Sequence, residues 1–192
     1  NPDILDVSAT QREAVLRHAS SALEVFNAGV SVFDREGVEQ SFFAGGSGDF
    51  AMPDSSGDVA RRVQDTLAPV FSELVQDASN GRNYILIGVP VLGDRGDYRG
   101  ALVGAMEAGA ATFSQPIQRL RVGSDGFAYL TDGHGRVIFH PDSAQVGADY
   151  SEESFYRHVM TDRNTGVLWT SPEGRRLIEA DASVAATGWV LI

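Results

Sequence analysis

The densest group of ligand-type side chains is Asp132, His134, His140 and Asp142. Two imidazoles and two carboxylates would suit Zn²⁺ or another divalent ion. The same residues also read as plain structure: Asp132 and His134 fall in a hairpin turn, where Asp bonds to backbone amides, and His140-Pro141-Asp142 ends a strand. The turn reading is preferred, and no metal or cofactor is expected. Hydrolase chemistry finds no Gly-x-Ser-x-Gly elbow. Gly45-Gly46-Ser47-Gly48 lacks the Lys of a phosphate loop and reads as a connector. Arg61-Arg62 could clamp a carboxylate in bidentate fashion or sit on a solvated helix face. Phe43, Phe71, Tyr84 and Ile87 could wall such a pocket. Tyr150, Phe155, Tyr156, His158, Trp169 and Arg175 make a candidate second pocket, or the filled core that replaces one.

Composition narrows the chemistry. All 15 basic residues are Arg, and both Lys and Cys are absent from the 192 residues. That removes Schiff-base lysines, thiolate nucleophiles, disulfides and cysteine-ligated metals. A net charge of −11 disfavours nucleic-acid binding and anionic membrane surfaces. At 43% hydrophobic and 21% charged, the composition is that of a globular chain. No apolar run reaches the ~18–20 residues of a membrane span, and no signal peptide opens the chain. The Asn1-Pro2 start and the apolar Trp189-Val190-Leu191-Ile192 end suggest an excised domain, with membrane spans expected in its context.

These residues need elements to position them. Residues 8–28 read as a helix with a Thr10/Glu13 capping box and an apolar stripe of Val15, Ala19, Ala22 and Phe26. Val30–Phe33 and Val38–Phe43 read as strands around an Asp34-x-x-Gly37 turn. Residues 58–79 read as helical, with Val59, Val63, Leu67, Val70, Leu74 and Val75 inward and a break at Pro69. Tyr84–Val91 reads as a strand covered on both faces, followed by a strand over 98–107 and a short helix or linker over 112–121. Strands then follow at 126–131, 136–140, 166–170, 176–184 and 188–192, with a helix at 151–161.

The pattern repeats. Asp132-x-x-Gly135 echoes Asp34-x-x-Gly37 at an offset of 132 − 34 = 98 positions, and each turn is followed by a return strand, a helix and later strands. This is the mark of a duplicated α+β unit with antiparallel sheets.

The run Val122-Gly123-Ser124-Asp125-Gly126-Phe127-Ala128-Tyr129-Leu130-Thr131-Asp132 through His140-Pro141, with Val146-Gly147-Ala148-Asp149, resembles the membrane-proximal half of double Cache sensor domains. Ala186-Thr187-Gly188-Trp189-Val190-Leu191 matches that family's last strand, and the Val32-Phe33-Asp34-x-x-Gly37 hairpin looks like its distal half. The resemblance implies an α+β fold: a long N-terminal helix (1–28) along two tandem PAS-like modules, distal (29–110) and proximal (111–192). It implies a small-ligand-sensing, non-enzymatic domain on the extracytoplasmic side of a membrane-bound histidine kinase, chemoreceptor or diguanylate cyclase, tethered by flanking spans. Its amino-acid-binding members carry an aromatic Arg…Trp-Tyr segment in the distal helical stretch and an Asp on the late strand. Here 58–79 holds no Trp or Tyr, and Ala105 stands in a strand without Asp, so amino-acid binding is not carried over. The expected ligand is a small, anionic molecule met by Arg61 or Arg62 in the distal module. A homodimer through the N-terminal helix is a further expectation. The competing readings are a soluble enzyme using the His/Asp cluster and a ligand-free dimerisation spacer.

Overall fold

The computed structural model describes residues 2–19, 23–45, 50–120, 126–161, 167–170 and 176–192, with the side chains of 2–3, 112–113, 155, 158–159, 167–170 and 176–179 outside it. The chain divides into two compact units, Asn1–Thr112 and Phe113–Ile192. Both are α+β with antiparallel strand pairing throughout.

The first unit opens with a 3-10 turn (Pro2–Leu5) and helix α1 (Ala9–His18). The capping box is Ser8 with Gln11, not Thr10 with Glu13. Ser8 Oγ accepts from Gln11 N and Gln11 Oε1 accepts from Ser8 N at 3.1 Å. The helix is also shorter than 8–28: Ala19 caps it, and residues 23–28 are turn and irregular backbone. Leu16 is buried within the unit, and Val15, Leu23 and Phe26 pack in the same cluster.

The sheet runs β2 (Glu39–Ala44), β1 (Gly29–Asp34), β6 (Tyr98–Glu107), β5 (Asn83–Leu92), β3 (Val70–Phe71), with β4 (Val75–Gln76) also on β5. Period-two alternation gives it two apolar faces. Phe33, Leu86, Ala101, Val103 and Ala105 meet Val59, Ala60 and Val63 of helix α2 (Ser55–Thr66). Val30, Val32 and Val91 meet Ile4 and Leu16 from the N-terminal segment. Coverage of both sides is why β5 lacks apolar/polar alternation, as its sequence implied. The helical reading of 58–79 is corrected: Leu67 takes a left-handed conformation (φ 50°) and caps α2, and Val70 and Val75 enter strands. Pro69, which removes a helical N–H, stands at the crossover.

The second unit holds most of α3 (Ala111–Gln118), α4 (Ser154–Thr161), and a four-stranded sheet in the order β11 (Ala182–Val184), β12 (Trp189–Leu191), β7 (Leu130–Thr131), β8 (Val137–Phe139). A separate pair joins β9 (Val167–Thr170) to β10 (Arg176–Glu179). The expected single strand 176–184 is broken at Ala180–Asp181. Tyr129, Tyr156, Val190 and Ile192 form this unit's core cluster. Trp189 is 5% exposed, as its terminal-strand position required.

The duplicated turns have the same wiring. Asp34 Oδ1 accepts from the amides of Glu36 and Val38, and Asp132 Oδ1 from those of His134 and Arg136. Gly37 and Gly135 both take positive φ, 79° and 92°.

Candidate functional site

The α2 side of the first sheet is covered unevenly. Over its middle the helix comes very close: a Cβ on Gly88 would lie 2.6–2.7 Å from Val63 and Val59 methyls. Towards the end of β5 that begins at Asn83, three aromatic rings take over. Phe50, from the segment before α2, lies 4.7 Å from Tyr84 and 6.2 Å from Phe42, ring centre to ring centre. The Phe42 ring rests on the Gly29 backbone, where a Cβ would be 2.5 Å from it. Gly29 pairs with Ala105, and Ala105 with Leu86, so the aromatic group covers the row containing Ala105.

A polar rim adjoins these rings. Tyr84 pairs with Glu107 across β5–β6, which puts both on the same face. Arg82 Nη1 lies 3.3 and 3.4 Å from the Glu107 carboxylate oxygens. Asn80 Nδ2 donates to Tyr84 Oη at 3.2 Å and to Asp77 at 2.9 Å. Asn27 Oδ1 accepts from the Glu107 amide at 2.9 Å. Burial raises the Tyr84 phenol above its ordinary pKa, and the Glu107 charge adds to that, so the hydroxyl stays protonated. Hydrogen bonds from Ser79, then Asn80, hold the Asp77 carboxyl low. The Arg82–Glu107 pair is exposed on one side, at 61% and 34%, and the two charges are open to exchange partners. An exposed pair of this kind contributes little to stability, about 0–1 kcal/mol.

Of the residues expected to wall one pocket, only Tyr84 is here. Phe43 pairs with Val30 and Phe71 with Ile87, so these three point to the opposite face. Arg61 is ion-paired to Asp58 on the outer side of α2, 70% exposed. Arg62 is exposed and donates to the Phe71 carbonyl at 3.5 Å. Val59, Ala60 and Val63 take the inward positions of α2, which leaves 61 and 62 outward. Phe42, Phe50, Arg82 and Glu107 were missed. Their signal was weak: the paired strands 83–92 and 98–107 place residues 84 and 107 opposite only once the register is known.

In the second unit Tyr156 is 3% exposed and donates to the Asp132 carbonyl at 3.2 Å. Tyr150 donates to Gln145 Oε1 at 2.9 Å and packs edge-on against Tyr129. Both lie in or against the core cluster. The side chains of His158 and Trp169, and all of Phe155's side chain and Arg175, lie outside the described residues. Asp132 Oδ1 is engaged by two backbone amides. His140 Nδ1 accepts from Asp142 N at 3.0 Å, and burial lowers its pKa. Two shallow hollows occur elsewhere. One of about 230 Å³ is lined by Leu23, Phe26, Val30 and Phe43 on the face away from α2. The other, about 340 Å³, is lined by Leu120, Phe127 and Pro141. Neither holds a charged pair, and the aromatic group with its rim is the more selective chemistry.

The fold matches solved ligand-binding domains. The ligand-binding domain of the Pseudomonas fluorescens chemoreceptor CtaA, in complex with L-serine, is 18% identical, with TM-score 0.65 over 99% of this chain and 81% of that one. That of the Pseudomonas aeruginosa amino acid chemoreceptor PctB, in complex with L-Gln, is also 18% identical, with TM-score 0.62 over 96% and 73%. An extracellular domain assigned to a histidine kinase, mmHK1S-Z2, is 12% identical, with TM-score 0.63 over 98% and 82%. Comparison with curated protein sequences finds no match. The Cache domain family matches residues 3–192. With nearly its whole length matched, this chain belongs to the Cache domain family.

Proposed function

We propose that the chain is the extracytoplasmic sensing domain of a membrane-bound signal transducer, and that its ligand is a small amino acid bound at the Tyr84 end of the first sheet. The supporting observation is the aromatic group Phe42, Phe50 and Tyr84 flanked by the Arg82–Glu107 pair. A zwitterion can exchange with that pair, its carboxylate on Arg82 and its ammonium on Glu107. Glu107 lies two residues beyond Ala105 on the same face, and so supplies a carboxylate that Ala105 lacks. The related domains of CtaA and PctB were solved with amino acids, which favours the same class. An anion held by Arg61 or Arg62 fits less well, because both side chains point outward. The domain acts by binding: ligand displaces Phe50, and the bound conformer gains population by its differential affinity.

Calorimetry and thermal shift with the common L-amino acids and small carboxylates test this. A ligand raises the melting temperature of the wild type. Arg82→Ala and Glu107→Gln each weaken its binding about ten- to a hundredfold, and Arg61→Ala leaves it unchanged. Unaltered affinity in both rim variants places the ligand elsewhere. No shift with any amino acid removes the ligand class and favours a spacer.

A further inference from the structure

Besides the packing of Ile4 and Leu16 on the first sheet and the Asp6–Arg99 pair, one buried side chain ties the N-terminal segment to the sheet edge. Arg12 on α1 is 5% exposed. Its guanidinium donates to four backbone carbonyls: Nε to Ile4 at 2.8 Å, Nη1 to Gln40 at 3.3 Å, and Nη2 to Leu5 at 3.4 Å and Val7 at 3.1 Å. Among the described residues no carboxylate pairs with it. Burying an unpaired cation is costly unless hydrogen bonds saturate it, and only the planar fork of Arg reaches this many acceptors at once.

The acceptor on the sheet is a special position. Val32 pairs with Ser41 and Phe33 with Glu39, so Gln40 is the extra residue of a β-bulge and has no ladder partner. Among the described residues β2 is also the edge strand of this sheet. Arg12 takes the bulge carbonyl, while the Gln40 side-chain Nε2 donates to Asp34 Oδ2 at 2.6 Å. Asp34 in turn organises the β1–β2 turn. One connected path therefore runs from the Pro2–Leu5 turn, through Arg12 and Gln40, to the hairpin that carries Gly29 and Phe42.

We propose that the Arg12 contact with the Gln40 bulge is a conformational coupling that makes the N-terminal segment and the β1–β2 hairpin open and close together. A shift of the hairpin is then handed to residues 2–18 without rearrangement of β5 and β6. That this coupling carries a ligand signal rests on the sensing role proposed above; the coupling itself does not.

Hydrogen exchange by mass spectrometry on the 192-residue chain, without ligand, tests it in the wild type, Arg12→Ala, Arg12→Lys and Arg17→Ala. In both Arg12 variants, amides of 9–18 and of 39–44 exchange about tenfold faster or more, together, while β5 and β6 stay protected. Arg17→Ala, which removes an exposed pair on the same helix, matches the wild type. Three outcomes overturn the proposal: α1 loosens while β2 keeps its protection, protection falls evenly across 1–112, or Lys restores the wild-type pattern. Because no ligand is used, a failed amino-acid screen leaves this result standing.

Discussion

Asp34 and Asp132 each close a turn by accepting two backbone amides through Oδ1, yet the glycine that ends each turn sits in different surroundings. At Gly37 (φ 79°) an added Cβ meets nothing within 4 Å, whereas at Gly135 (φ 92°) it falls 2.8 Å from the Tyr156 ring and 2.9 Å from Ser151 N. Left-handed strain alone costs about 1–2 kcal/mol; overpacking adds about 1–3 kcal/mol. Gly135→Ala is thus expected to destabilise clearly more than Gly37→Ala in urea denaturation, and equal losses would show that Tyr156 yields freely. His140 sets a pH dependence. Burial lowers its folded pKa below the ordinary histidine value of about 6.5, so the unfolded chain takes up the proton first as pH falls. Stability from this residue is intact at neutral pH and declines as pH drops below about 6.5. His140→Asn, whose side-chain oxygen can still accept from Asp142 N, should flatten the stability profile between pH 7 and pH 5. An unchanged slope would assign it to other groups.

At the scale of elements, α2 is defined by how it ends and how closely it lies. Leu67 holds a left-handed cap with its side chain 50% exposed, while its amide donates to the Val63 carbonyl at 2.8 Å. Glycine adopts that conformation without the Cβ penalty. Leu67→Gly is therefore expected to stabilise the chain by about 0.5–1 kcal/mol, read as a higher midpoint; a lower midpoint would mean that Leu67 makes packing contacts worth more than its strain. Under the helix, Gly88 lets Val59 and Val63 touch the β5 backbone. Gly88→Ala lifts the helix and should cost about 1–3 kcal/mol. Both changes act at one seam, so a combined variant should show non-additive midpoints if the helix shifts as a body.

At the scale of the molecule, two features dominate. All six strands of the first sheet, and both clusters that cover it, lie within residues 1–112. A fragment of that length is expected to fold alone, with a cooperative urea transition and strand-type circular dichroism; a non-cooperative transition would make the second unit a requirement for the first. The net charge of −11 opposes compaction. Raising salt from about 0.01 M to about 0.15 M shortens the Debye length from about 30 Å to about 8 Å and should raise the melting temperature. A falling temperature would show that local pairs such as Arg99–Asp6 outweigh the mean repulsion.

The local chemistry was decided by sequence alone. Turn residues, the 98-position repeat and the long central strands follow from residue types and spacing, because Asp-x-x-Gly and apolar runs act over a few neighbouring positions, while the family came from a resemblance in the runs 122–141 and 186–191. The candidate site was not decided there. Phe43 and Phe42 differ by one position, and in a strand one position is the difference between opposite faces; only the pairing with Val30 and Ser31 assigns them. Arg61 and Arg62 looked equally able to face a pocket until Val59, Ala60 and Val63 claimed the inward side of α2. Arg82 and Glu107 are 25 positions apart and become a pair through the β5–β6 register. Arg12 lies within the stretch read as the first helix, and its burial depends on carbonyls gathered from the N-terminal turn and a distant bulge. Long-range register and the closing of a helix over a sheet are cooperative properties of the whole chain, and no short window of sequence contains them.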